Sequence, residues 1–355
     1  MRIEQLTFLR FLAAAVVVIF HYGVEATGLG GFLTAGPQMV SFFFVLSGFV
    51  MTVAYGKRDI QFGAFWAARA ARILPVYFLS LALVIAAFML SGTEIHSTAV
   101  VLNIFLVQSW IPPYPTSLNT PAWSLSVEAF FYFTFPFILV LIRRFSLSAG
   151  KMLFASIMLW LITQTVTTFV LSYGLYKGIY SASHDFIYYF PLSHFCSFFL
   201  GIAGGMLFLA KNTREPDTKN DFILLLLAVA SLAALVVMIN NEAAITQLFK
   251  LNFAYCSSFY SPLYLLLITS LSLCRSKVVR VLQSKPLVLL GNASYSLYML
   301  QKPVHAAFLK FFTWNVTIPP LYDFLLYCVL LLVVSLASFL LFEHPLNLFL
   351  RRKLR

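Results

Sequence analysis

Ten stretches of roughly 17 to 25 mostly apolar residues follow one another along this chain, each long enough to cross a bilayer core as a helix. They cover residues 5–22, 37–55, 73–91, 122–142, 152–172, 191–210, 222–239, 253–273, 294–312 and 321–342. Unpaired backbone groups are too costly in hydrocarbon for any open irregular chain, so a succession of such runs folds as a helical bundle. The predicted fold class is therefore all-α: a polytopic integral membrane protein of about ten transmembrane helices. Composition agrees, since a 355-residue chain that is 61% hydrophobic and only 10% charged cannot cover itself with a water-soluble surface. The expectation is one membrane domain over 1–355, with no soluble domain. The first run has polar residues of its own and no small-residue cleavage site, so it is expected to stay in the mature chain. Cys196, Cys256, Cys274 and Cys328 lie in or beside apolar runs and read as packing residues.

The net charge of +12 does not point to nucleic acid, because the basic residues form neither a stripe nor an aromatic-lined groove. They fall between the apolar runs. With both termini cytoplasmic, nineteen of the 24 Lys and Arg residues lie on the cytoplasmic side, as the positive-inside rule requires. Arg2, Arg214 and Arg355 are among them; Lys177, Lys250 and Lys310 fall outside, and Arg10 and Lys302 sit within spans. Residues 92–121 contain a short apolar piece followed by Ile-Pro-Pro-Tyr-Pro, expected to lie in the outer interface or to re-enter without crossing. Residues 61–72 mix Phe62, Phe65 and Trp66 with two arginines, as expected of a helix lying on the cytoplasmic surface.

Ionisable residues inside spans are costly and mark candidate sites. Arg10 and His21 are eleven steps apart on the first span, which returns both to one face about 16 Å apart along the axis. Singly, either could be an interfacial anchor, Arg10 snorkelling inward and His21 outward. Glu128 comes six residues after the fourth span begins at Ala122 and His21 near the end of the first, so counting from the membrane edges puts both in the outer third. A contact between them is expected, either as a general base oriented by an acid or as a structural pair joining two helices. Arg69 and Arg72, three apart, present two guanidinium forks on one face, suited to phosphate or pyrophosphate, although a positive-inside flank has the same pattern. His184, Asp185 and His194 are close in sequence but lack a ligand spacing such as His-x-x-x-His, so no metal is expected. His96, His305 and His344 read as interfacial or packing residues.

Six fragments, in order, resemble the membrane-bound acyltransferase family 3, which includes bacterial O-antigen, exopolysaccharide and Nod-factor O-acetylases. LTFLRFLAAAVVVIFHYG carries Arg10 and His21; FFFVLSGFV carries Phe43, Phe44, Ser47 and Gly48; RAAR is Arg69 to Arg72. PAWSLSVEAFFYF supplies Trp123, Ser124, Ser126 and Glu128; LGNASYSLYMLQKPV supplies Gly291, Ser294, Tyr295 and Tyr298; FEHP supplies Glu343 and Pro345. Two positions depart from the family pattern. An alanine and a phenylalanine follow Glu128 where an acid and an amide are common, and Gln301 stands where a histidine commonly precedes Pro. A glutamine hydrogen-bonds but does not shuttle protons near neutral pH.

The resemblance implies an enzyme of the plasma (inner) membrane that takes an acyl group, acetyl above all, from cytoplasmic acyl-CoA and passes it to a hydroxyl of a carbohydrate or glycolipid. Acyl-CoA would be a co-substrate, with no tightly bound cofactor, and the partners would be these substrates and membrane lipids. His21 would act as base with Glu128. Arg10, Arg69 and Arg72 would take the CoA phosphates, with Ser47, Trp123, Ser124 and Tyr295 beside the substrates. An acyl-histidine intermediate fits the same residues. The alternative is a proton-coupled transporter of a small solute using His21 and Glu128 as a relay, although no inverted repeat or matched pair of broken helices is visible.

Overall fold

The computed structural model describes residues 3–211, 218–311 and 319–353. Arg2, Arg214, Arg355 and the last residue of the predicted ninth span, Phe312, lie outside the described residues. The principal helices follow the predicted order: α1 (Gln5–Tyr22), α2 (Gly36–Tyr55), α3 (Phe62–Ser91), α4 (Trp123–Arg144), α5 (Ala149–Ser172), α6 (Phe195–Lys211), α7 (Thr218–Asn240), α8 (Ser261–Leu273), α9 (Lys285–Phe311) and α10 (Pro320–Ser338). Among the described residues there is no β-strand. Among the described residues eight helical runs are long and apolar enough to cross a membrane, and of the ten principal helices α8 and α9 are the two that are not. The protein is an all-α, multi-pass membrane protein.

The two exceptions have physical reasons. α9 is long but polar, carrying Asn292, Ser294, Ser296, Gln301 and Lys302, because it packs on α1, α3 and α10 and so meets protein along much of its length. α8 has 13 residues, about 20 Å at 1.5 Å per residue, so the predicted run 253–273 is helical only in its second part. The preceding chain is irregular and tied down by side chains: Trp160 Nε1 donates to Ser258 O at 2.9 Å and Gln164 Nε2 to Ser257 O at 3.1 Å. Irregular backbone is tolerated at such depth when protein satisfies it.

The expected surface helix over 61–72 is corrected. It is the first part of the continuous 30-residue α3, and Phe65 and Ala71 within it are buried. Nothing in the sequence breaks the helix there, and Pro75 costs only the hydrogen bond to the Ala71 carbonyl. At about 45 Å, α3 exceeds a bilayer core of roughly 30 Å, so part of it stands clear of the hydrocarbon. Residues 92–121, expected in the outer interface or as a re-entrant piece, pack part of their length into the bundle. Gln108, Ser109 and Asn119 are at most 2% exposed. Asn119 Nδ2 donates to Ser80 Oγ and to Met299 O, and Ser109 Oγ donates to Trp123 O at 2.8 Å. α4 therefore starts inside the bundle.

Helices associate in a membrane through close packing rather than hydrophobic exclusion, which favours small residues at crossings. A Cβ on Gly48 of α2 would fall on the Phe198 carbonyl oxygen of α6, and one on Gly201 would fall on that of Val45. α1 is held between α2 and α9, where a Cβ on Gly291 would strike the Thr7 carbonyl. These crossings leave α1 with one face toward α2, α3, α4 and α9. Beyond α10 the chain passes through a π-turn, Phe339–Glu343, which turns the Glu343 carboxylate inward, and ends in the helix His344–Lys353.

Candidate active site

A cavity of about 640 Å³ lies between α1, α2, α3, α4, α9 and the π-turn. Arg10, Arg69 and Arg72 line it with the carboxylates Glu128 and Glu343. Arg10 is within electrostatic range of Arg72, Glu128 and Glu343. Yet among the described residues no hydrogen bond or ion pair reaches the three guanidinium groups, and the single ion pair is Arg143–Asp59 at 3.2 Å. Arg69 Nε is buried without a partner, and its guanidinium carbon lies 5.8–5.9 Å from the ring centroids of Tyr55, Phe65 and Tyr132. Three cations whose donors have no hydrogen-bond partner among the described residues, set around one cavity, have the chemistry that suits a polyanion.

Glu128 Oε1 accepts hydrogen bonds from Ser47 Oγ at 3.3 Å and from the Tyr132 hydroxyl, one turn further along α4. Glu343 Oε2 accepts one from Ser296 Oγ at 2.7 Å. At the other end of the cavity Ser124 Oγ and the Tyr298 hydroxyl are 3.0 Å apart, and both reach the Pro121 carbonyl oxygen. Phe43 closes against the Tyr298 ring, with centroids 5.8 Å apart. His21 stands beyond this pair and is not in the cavity wall. Its Nδ1 is 2.9 Å from Gln301 Oε1, and Gln301 lies one turn past Tyr298 on α9.

The expected contact of His21 with Glu128 is not present: the imidazole meets Gln301, and the carboxylate meets Ser47 and Tyr132. Counting from the start of α4 misplaced Glu128, because the buried segment before it sets that start inside the bundle. Gln301 is one turn from Tyr298 in one direction and Glu128 one turn from Ser124 in the other, so His21 and Glu128 are about 10 Å apart along the axis.

The cavity gathers Arg10, Arg69, Arg72, Ser47, Ser124, Glu128 and Tyr295, as expected of one site. The Tyr295 hydroxyl, however, already donates to the Ile73 carbonyl at 2.7 Å, so its ring rather than its O–H faces the space. Trp123 does not line the cavity; it packs on Phe44, Tyr189 and His194. His194 is buried, with ring nitrogens toward Tyr188 O and Ser258 Oγ. Among the described residues no three His, Cys, Asp or Glu side chains gather as metal ligands. His344, read as an interfacial or packing residue, lines the cavity, whereas His305 stacks on Tyr22 with ring centroids 4.1 Å apart. Sequence reasoning had no site role for Tyr132, Tyr298 or Glu343. The i, i+4 spacing from Glu128 to Tyr132 was a usable signal. The π-turn that aims Glu343 had none.

Comparison with known proteins follows the same line. The family model described as an acyltransferase domain matches residues 3–341. Acyltransferase MdmB of Streptomyces mycarofaciens is 29% identical over 84% of this chain and 78% of its own length. A Staphylococcus aureus (strain COL) protein named Putative O-acetyltransferase SACOL0978 is 26% identical over 82% of this chain but only 48% of its own length, so the chain spans about half of that relative. Exopolysaccharide production protein ExoZ of Rhizobium meliloti (strain 1021) is 30% identical over 40% of this chain and 45% of its own length. No solved structure matches. With the match running through nearly the whole bundle and over every residue of the arginine-lined cavity up to Leu340, this chain belongs to the membrane-bound acyltransferase family 3.

Proposed function

We propose that the protein transfers an acyl group, acetyl above all, from acyl-CoA to a hydroxyl of a cell-surface or lipid-linked carbohydrate in the plasma (inner) membrane, with no tightly bound cofactor. The observation that carries this reading is the set of three guanidinium groups, without hydrogen bonds among the described residues, around a cavity leading to Ser124 and Tyr298. CoA brings a diphosphate and a further phosphate, which suit three such forks, and its arm is narrow enough to follow the cavity from them. The names of the relatives, acyltransferase, O-acetyltransferase and exopolysaccharide production protein, support an acetyl donor and a polysaccharide acceptor.

In this reading the arginines anchor the donor from the cytoplasmic side and the thioester comes to rest near Ser124 and Tyr298. His21 Nε2 takes the proton of the acceptor hydroxyl as its oxygen bonds to the thioester carbonyl carbon. The tetrahedral oxyanion takes a hydrogen bond from Ser124 or Tyr298 once that hydroxyl turns away from the Pro121 carbonyl. As it collapses the carbon–sulfur bond breaks, and the imidazolium returns its proton to the departing CoA thiolate. Glu128, apart from the imidazole, holds Ser47 and Tyr132 and balances the arginine charge.

The test uses the full chain in nanodiscs with isotopically labelled acetyl-CoA and membrane glycan. Label should pass to the glycan, stop in His21→Ala, and bind at least about tenfold more weakly in Arg69→Ala/Arg72→Ala. Label on the protein in the absence of acceptor would replace direct transfer by an acyl-histidine route. Unchanged acetyl-CoA binding by the double variant, with solute uptake and no transfer, would overturn the reading in favour of a transporter.

A further inference from the structure

Gln301 makes two hydrogen bonds that together determine the state of the imidazole beside it. Its amide nitrogen donates to the Tyr298 carbonyl at 2.8 Å, an acceptor only, so the amide oxygen must be the end that faces His21. That oxygen lies 2.9 Å from His21 Nδ1 and is itself an acceptor only, so Nδ1 must carry the hydrogen. In the neutral ring Nε2 is then the bare nitrogen. Among the described residues Nε2 has no hydrogen-bond partner. Gln301 is fully buried, and its backbone oxygen accepts from the Tyr327 hydroxyl at 3.0 Å, so the whole residue is fixed in place.

We propose that Gln301 is a positioning residue for the transfer reaction, holding His21 as the Nδ1–H tautomer with Nε2 turned to the acceptor hydroxyl. The proposal rests on the assignment of His21 as base.

The test combines spectroscopy with kinetics on the full chain in nanodiscs. In protein labelled with 15N-histidine, the His21 signals, identified by their loss in His21→Gln, should report a protonated Nδ1 and a bare Nε2. Gln301→Met, similar in size but without an acceptor, should let the other tautomer appear and lower kcat about tenfold or more, with the KM for acetyl-CoA changed by less than about twofold. Gln301→Glu, which restores an acceptor facing Nδ1, should restore the Nδ1–H signal and most of kcat. A parent spectrum showing protonated Nε2 overturns the proposal, as does Gln301→Met with unchanged kcat, or Gln301→Glu that recovers the signal without activity. Transfer that survives His21→Gln overturns the base assignment and Gln301's part with it. The parent spectrum, still reporting Nδ1–H, would then locate the failure in the assigned role rather than in the geometry.

Discussion

Arg72 and Glu128 line the same cavity yet should respond to substitution in different ways, because in the proposed reaction one faces the donor as a fork and the other stands away from the base. Arg72 is three residues from Arg69 on α3, and neither side chain is engaged by a hydrogen bond to its guanidinium among the described residues. A lysine keeps the charge but replaces the planar fork with a point charge. Arg72→Lys is thus expected to raise the KM for acyl-CoA by about three- to tenfold with little change in kcat, read from initial rates over a donor series. Glu128→Gln keeps an acceptor for Ser47 and Tyr132 while removing the charge. With about 10 Å between the carboxylate and His21, it should move the acid limb of the kcat/KM profile by less than about half a pH unit. A shift of a full unit would bring the carboxylate back beside the imidazole. Helical periodicity alone made the shared face of Arg69 and Arg72 legible. The partner of His21 was not legible, because it depends on where α4 begins in depth and on which residue α9 offers one turn above Tyr298.

α2 and α6 cross at Gly48 and Gly201 with no room for a side chain, so this pair of elements is sensitive to a single methyl. Gly48→Ala should cost about 1–3 kcal/mol through overpacking, seen as a lower melting temperature in detergent. Gly63→Ala, on α3 with nothing within 4 Å of the added Cβ, should leave it unchanged and serves as the control. A second element prediction concerns the cap near the start of α2. Glu242 accepts from Gln38 Nε2 at 3.0 Å and from the Tyr260 hydroxyl at 2.8 Å, joining α2 to the irregular chain before α8. Burial pushes its carboxyl above the usual carboxylate range, against the opposing effect of those two hydrogen bonds. A raised acid binds its proton more tightly in the folded state, so its contribution is fully present below the unfolded value of 4.5 and is lost as pH rises through the folded one. Melting temperature should therefore fall across that window in the parent and change less in Glu242→Gln. The run that became the short α8 had enough apolar residues for a full span. What it concealed was a chain held by Trp160, Gln164 and serine hydroxyls, which hydrophobicity does not report.

At the scale of the molecule, the positive-inside count and the proposed cytoplasmic donor lead to one expected orientation. The corner between α4 and α5 follows Arg143 and Arg144 and precedes Lys151. The segment between α5 and α6 holds Lys177 as its only lysine or arginine. A donor from the cytoplasm requires the arginine end of the cavity, near the start of α1, to share the side of the α4–α5 corner. The His21 end must then share the side of the α5–α6 segment, where the glycan would be met. Gly150 sits in the first turn of α5, next to the first of these connections, exposed and with only Ser148 Oγ, at 4.0 Å, near an added Cβ, and Ile179 sits exposed in the second. Gly150→Cys and Ile179→Cys, each compared with the parent and its four native cysteines, can be challenged in intact cells with a membrane-impermeant maleimide. Ile179→Cys should label in intact cells, and Gly150→Cys only after the membrane is opened. The reverse pattern would turn the arginine end outward, away from the cytoplasmic acyl-CoA pool, and the donor would then have to be a different acyl carrier while the anion-binding walls stayed the same.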